Sequence, residues 1–135
     1  MIEATLTQFI DRCHEALAQQ SKGHPDPLLD LWSHAGDVSI MAAVNGYEVG
    51  FERVSAVLRW ASKSQEFDNW SAENLSTVAG SELGCSVELE RYTLIAGGVD
   101  KSMTLRATQV YRVEDGEWRI VHRHGDLLTD VEVKW

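Results

Sequence analysis

Near the end of the chain, in the run WRIVHRHGD (Trp118 to Asp126), His122, His124 and Asp126 recur at every second position. On a β-strand that spacing puts all three on one face. An imidazole titrates near neutrality, so either histidine can donate, accept or move a proton, and a nearby carboxylate or guanidinium shifts its pKa in opposite directions. Arg91, in LERYT, carries a planar fork of donors suited to a carboxylate or an enolate oxygen. A His-x-His pair also ligates zinc where a third ligand approaches, but no further His, Cys or acid stands at matching spacing, so neither metal nor another cofactor is expected. The same residues also suit structural roles: a hydrogen-bonded strand histidine, and an arginine in a buried salt bridge.

What these residues can do depends on the strands that aim them. Asp115-Gly116 is a strong two-residue hairpin signal, and closing that turn pairs Glu114 with Glu117, Val113 with Trp118 and Tyr111 with Ile120. Continued without interruption, the ladder sets Gln109 opposite His122 and Ala107 opposite His124. The inward face then carries Leu105, Ala107, Gln109, Tyr111, Val113, Trp118, Ile120, His122, His124 and Asp126, and the outward face Arg106, Thr108, Val110, Arg112, Arg119, Val121 and Arg123. For the preceding strand, pairing Ala96 with Ser102 buries Val87, Leu89, Arg91 and Thr93 and leaves Glu88, Glu90 and Tyr92 outside. A register shifted by one residue would bury both glutamates, which is costly without partners, so the register that buries Arg91 is preferred.

Earlier segments read as helices. Ile2, Leu6, Phe9, Ile10, Cys13 and Leu17 recur at helical spacing, predicting an amphipathic helix ending near Ser21 to Gly23. Asp26 and Pro27 read as the N-cap and first residue of a short second helix that runs to about His34. VSIMAAV and YEV flank an Asn45-Gly46 turn, and a third helix is expected from about Phe51 to Ser64. Four long strands follow, roughly over 67–79, 84–96, 102–114 and 117–127. Helices first and antiparallel strands last predict an α+β fold, one curved sheet wrapped against N-terminal helices around an internal pocket. His14, His24 and His34, on or beside helices with no partner pattern, read as surface groups.

A chain of 135 residues with 44% hydrophobic residues is expected to form one domain, residues 1–135. Its net charge of -9 argues against nucleic acid and anionic membranes, which need a positive footprint, and leaves a small molecule or another protein as partner. Cys13 and Cys85 stand in apolar patterns and read as core thiols, and the N-terminus carries no basic or apolar leader pattern, so a cytoplasmic setting is expected.

The segments LERYT and LRATQVYRVEDGEWRIVHRHGD, with LLDLWSHAGDVSI and NGYEVGFERV, resemble the SnoaL-like branch of the nuclear transport factor 2-like superfamily over nearly the whole chain. That superfamily includes ketosteroid isomerase, scytalone dehydratase, limonene epoxide hydrolase and the association domain of calcium/calmodulin-dependent kinase. The resemblance implies a cone-shaped fold with a pocket between sheet and helices, and a dimer through the outer sheet face. The isomerase's own chemistry does not carry over. The position resembling its general base falls at about Ala42 and that resembling its oxyanion-hole acid at about Gln109, and neither can take a proton. The kinase association domain's RLT is similar to Arg91-Tyr92-Thr93, which implies an anion-accepting pocket. The expected function is therefore a small-molecule pocket protein, a lyase, isomerase or hydrolase acting on a carbonyl or carboxylate compound. Arg91 would anchor negative charge, His122 or His124 would shuttle a proton, and Gln109, Tyr111, Trp32 and Asp126 would contact the ligand. The alternative is a ligand-binding or oligomerisation module without turnover. A homodimer is expected through the outer face carrying Tyr92, Arg106, Val110, Arg112, Arg119, Val121 and Arg123, where arginines mix with aromatic and β-branched residues.

Overall fold

The computed structural model describes residues 5–42, 46–64 and 66–129. Helix α1 (Leu6–Ser21) starts at a capping box, in which Thr5 Oγ1 accepts from the Gln8 amide at 3.1 Å and Gln8 Oε1 accepts from the Thr5 amide at 3.0 Å. This satisfies two orphan donors and explains why the helix begins here. Its end is closed by Gly23 at φ 92°, with the His24 amide donating to Gln19 and the Gly23 amide to Gln20, the paired bonds of a Schellman cap. Leu6, Phe9, Ile10, Cys13 and Leu17 form its buried stripe, as the spacing predicts; Ile2 lies outside the described residues. Helix α2 (Asp26–Leu31) has Pro25 at its N-cap position, without a side-chain cap bond, so Asp26 is its first residue rather than the expected cap; it stops at Trp32, whose backbone bridges to Ile120. It is shorter than the sequence suggests because Ser33 already donates its amide to Ile120. Helix α3 (Phe51–Ser64) buries Val54, Val57 and Leu58.

The strands are β1 (Ser39–Ala42), β2 (Gly46–Val49), β3 (Glu66–Ala79), β4 (Leu83–Ala96), β5 (Val99–Glu114) and β6 (Glu117–Leu127). They form one curved, unclosed sheet in the order β2-β1-β6-β5-β4-β3, antiparallel except between β1 and β6. Together with the helices this is the expected α+β architecture. Of the predicted Asn45-Gly46 turn, Asn45 lies outside the described residues, and Gly46 has a positive φ of 66°. The core joins Phe9, Cys13, Leu28, Trp32, Val54, Tyr111, Trp118 and Ile120 between the helices and the concave face.

Two registers decide what faces inward. The Asp115-Gly116 turn forms with φ of 52° and 79°, and the ladder holds from Glu114↔Glu117 to Tyr111↔Ile120. It then shifts. Val110 pairs with His122 and Gln109 with Arg123, leaving Val121 as the extra residue of a β-bulge. Past the bulge every residue of β6 has changed face: Arg123 and Gly125 pair with the inward Gln109 and Ala107, while His122, His124 and Asp126 pair with the outward Val110, Thr108 and Arg106. In β4, Glu90 pairs with Leu105 and Glu88 with Ala107, so the glutamates point in and Arg91, opposite Thr104, points out. Ala96 pairs with Val99, three residues from the preferred Ser102, and this odd shift faces both glutamates inward, as the one-residue shift set aside from the sequence would have done; they have the partners that burial requires.

Candidate functional site

Between the concave face of the sheet and helices α1 and α3 lies a cavity of about 240 Å³. Its walls are mostly apolar: Leu17 from α1, Val57, Leu58 and Ala61 from α3, Phe67 and Trp70 from β3, and Leu94, Met103 and Leu105 from β4 and β5. Trp60 and Leu127, which line it while remaining 49% and 39% exposed, mark where it meets solvent. Glu90 and Arg123 are the only charged side chains lining it among the described residues. They form a bidentate pair: Arg123 Nη1 donates to Glu90 Oε2 at 2.8 Å and Nη2 to Oε1 at 2.6 Å, with side chains only 11% and 2% exposed. Burial works against the charge on Arg123, but the adjacent Glu90 carboxylate outweighs it and raises the guanidinium pKa, so it stays protonated.

Behind this pair a buried chain of neutral groups fixes the arginine. Nη1 also donates to Gln109 Oε1 at 2.9 Å, Gln109 Nε2 donates to Tyr111 Oη at 2.8 Å, and that hydroxyl shares a 2.7 Å bond with Ser86 Oγ. Orienting Gln109 from one end leaves its carbonyl oxygen to the guanidinium at the other. Tyr111 is held neutral, its pKa pushed up by burial. Tyr92 lines the cavity one pleat from Glu90, edge-on to Phe67 at 5.0 Å, and burial and then Glu90 raise its pKa.

A second polar cluster sits between α1 and the sheet. His14 Nε2 lies 2.8 and 2.9 Å from the two Glu88 oxygens, and Asn74 Nδ2 donates to Oε2 at 3.0 Å. Hydrogen bonding to Glu88 raises the His14 pKa. Burial pushes Glu88 up, but its bonds from His14 and Asn74 leave it below the ordinary value. His14 is therefore a buried-acid partner rather than a surface group, and His34 stacks on Phe51 with ring centroids 3.8 Å apart.

The residues expected to act in a pocket are divided by these registers. Gln109 and Tyr111 point inward and support the cavity's charged pair from behind. Trp32 is buried in the core, away from the cavity lining, with its indole N–H unpaired among the described residues. Arg91 lies on the convex face, exposed and 3.1 Å from Glu73. His122 is convex too, its Nδ1 2.8 Å from Ser39 Oγ, with its pKa lowered by burial and then by His124. His124 is exposed, 3.9 Å from Asp126, and Asp126 accepts two bonds from Arg106 at 2.7 and 3.0 Å. The expected convergence of Arg91, Gln109, His122 and His124 in one cavity is thus corrected by the bulge at Val121 and by a β4 register three residues from the expected one, Ala96 pairing with Val99 rather than Ser102. Tyr92 and Arg123, expected outside, line the cavity, and Val121 is buried. Among the described residues no three His, Cys, Asp or Glu side chains converge as metal ligands.

Glu90 and Arg123 were missed for one shared reason: each was judged without the other. Burying Arg91 alone leaves a lone charge inside, whereas burying Glu88, Glu90, Arg123 and His14 balances.

A search of curated sequences found no significant match. Among solved structures, a ketosteroid isomerase-like protein from Erwinia carotovora matches with TM-score 0.79 at 12% identity, covering 95% of this chain and 99% of that one. A Thiobacillus denitrificans protein proposed to be a calcium/calmodulin-dependent protein kinase type II association domain matches at 0.77 and 19%, covering 96% and 99%. A nuclear transport factor 2-like superfamily protein from Salmonella enterica matches at 0.75 and 18%, covering 95% and 92%. At these identities the structures show a shared fold. The SnoaL-like domain model matches residues 6–128, and the chain belongs to that family.

Proposed function

We propose that this chain is a small-molecule pocket protein whose ligand has an apolar body and a polar head turned toward Arg123 and Glu90. The observation that carries this reading is the bidentate pair closing one end of an otherwise apolar cavity. At about 240 Å³ the cavity is smaller than the ~300–1,000 Å³ of pockets for drug-sized ligands, so the ligand is correspondingly small. The roles expected of Arg91 and the two histidines pass to the charged pair. With a carbonyl compound, Glu90 takes a proton from the carbon beside the carbonyl, the C–H electrons move to the oxygen as an enolate, and Arg123 donates hydrogen bonds to that oxygen. Returning the proton from Glu90 to a different carbon gives isomerisation. Expelling a β-substituent instead gives a lyase.

One observation favours the second reading, binding without turnover: both Glu90 oxygens already accept from Arg123, which weakens the carboxylate as a base. Incubation with small aromatic ketones in D₂O, followed by mass spectrometry, separates the two. Deuterium incorporation that Glu90→Gln abolishes supports turnover; binding with no incorporation supports the module.

The convex face supports a homodimer. It carries Arg91, Arg106, Val110, Arg112 and Arg119, with Val78, Leu83 and Val87 exposed by 62%, 59% and 39%, a mixture of arginine and β-branched residues found in interfaces. Light scattering should return a dimer mass and Val87→Glu a monomer; a monomeric wild type refutes the assembly. No helix among the described residues is long and apolar enough to cross a membrane, and the free thiols of Cys13 and Cys85 suit a reducing cytoplasm.

A further inference from the structure

Gly125 lies in β6, buried, in the cavity wall, paired with Ala107. Two common reasons for a strand glycine are absent. Its φ is not in the left-handed region, and a Cβ built on it would meet nothing closer than Arg123 Nη2 at 3.8 Å, the Arg106 carbonyl at 3.9 Å and Leu105 Cδ1 at 4.0 Å, all ordinary contacts. Gly84 is the contrast, where a Cβ would come within 2.8 Å of the Val78 carbonyl. A side chain fits at 125, and a glycine there weakens the strand. What its absence provides is space directly beside the guanidinium. Nη2 uses one N–H on Glu90 Oε1 and carries a second.

We propose that the space over Gly125 is a subsite for a neutral hydrogen-bond acceptor, the carbonyl or hydroxyl oxygen of a small apolar compound, held by Arg123 Nη2. This rests on the pocket reading above and narrows it. An anionic head is disfavoured because Arg123 is the only cation lining the cavity among the described residues and is already neutralised by Glu90; a carboxylate placed there would face a second carboxylate with one cation between them. A hydrocarbon without an acceptor would leave the Nη2 donor without a partner.

The test measures binding of acetophenone, benzoate and ethylbenzene to the wild type, Gly125→Ala and Gly125→Val, with thermal melts of all three proteins. Acetophenone is expected to bind at least about tenfold tighter than ethylbenzene, because a hydrogen bond from a charged donor is worth roughly a factor of ten or more, and tighter than benzoate, whose carboxylate would face Glu90. Its carbonyl stretch, read by isotope-edited infrared difference, should move to lower frequency on binding to the wild type. Gly125→Val should weaken acetophenone about tenfold or more, while Gly125→Ala raises Tm by roughly 2 °C, since alanine is tolerated there and restricts the unfolded chain. Benzoate binding as tightly as acetophenone, an unshifted carbonyl, or unchanged acetophenone affinity in a folded Gly125→Val overturns the subsite and leaves the pocket reading standing. Failure of all three compounds to bind overturns both. Should Gly125→Val fail to fold, the wild-type infrared shift and the benzoate comparison still decide.

Discussion

Replacing Arg123 with methionine removes the cation paired with Glu90 in the cavity wall. The guanidinium makes three hydrogen bonds, two to Glu90 at 2.8 and 2.6 Å and one to Gln109 at 2.9 Å. In the variant a carboxylate that is 2% exposed loses its partner, which costs about 3–5 kcal/mol for a broken buried pair. The stranded Gln109 carbonyl adds on the order of 1 kcal/mol. For a domain of this size each kcal/mol moves Tm by roughly 3–5 °C, so a drop of roughly 12–30 °C is expected. Arg123→Met/Glu90→Leu removes both charges. It should recover most of the loss and fall short of the wild type mainly by the Gln109 deficit, since hydrophobic replacement of a buried pair is often neutral or better. Urea denaturation of the wild type, both single variants and the double, analysed as a cycle, measures the coupling. A single variant within about 1 kcal/mol of wild type, the range of exposed pairs, or a double as unstable as the single, would refute the view that the pair is buried and mutually dependent.

The His14–Glu88 contact sets a pH window. His14 has its pKa raised above 6.5, so its contribution is complete below that value and is lost as pH rises through the folded-state pKa; Glu88 is lowered from 4.5, so its contribution is complete above that value and is lost as pH falls through the folded-state pKa. Urea midpoints of wild type and His14→Gln should differ most near pH 5.5 and converge at alkaline pH; a constant difference would count against it. His122, its pKa lowered by burial, works in the opposite sense but is common to both proteins. His122→Ala/His124→Ala should bind acetophenone like the wild type, since both histidines lie on the convex face; a loss beyond about threefold would return them to the site. Arg91→Ala, breaking an exposed contact to Glu73, should change stability within about 0.5 kcal/mol by urea unfolding.

The elements were legible where local physics decides them. Apolar spacing marks α1 and α3, and Asp115-Gly116 fixes the β5–β6 turn because only certain residues take positive φ there cheaply. The faces were not legible past Ile120. Val121 is a β-branched residue in an ordinary strand run, with no glycine at the bulge itself to announce an extra residue. What favours the bulge is remote: Glu90, 33 positions away in sequence, offers Arg123 both oxygens. Likewise the partner of Glu88 is His14, 74 positions away on a helix. Strand alternation is local information, whereas charge balance in an interior is settled among all the elements at once.

The bulge makes β6 a strand read in two frames. Even-numbered residues face the core up to Ile120, and odd-numbered ones from Arg123 onward. A ladder closed without the bulge would present His122, His124 and Asp126 to the cavity, a wholly different set of chemical groups from the same eleven-residue strand. Deleting Val121 has the opposite consequence. Its neighbours keep their present partners, Tyr111 with Ile120 and Val110 with His122, so the frame after the deletion is unaltered while the local kink and added twist are lost. In this strand a one-residue deletion is silent for chemical identity and felt as shape, a flatter wall around the same Arg123 and Gly125.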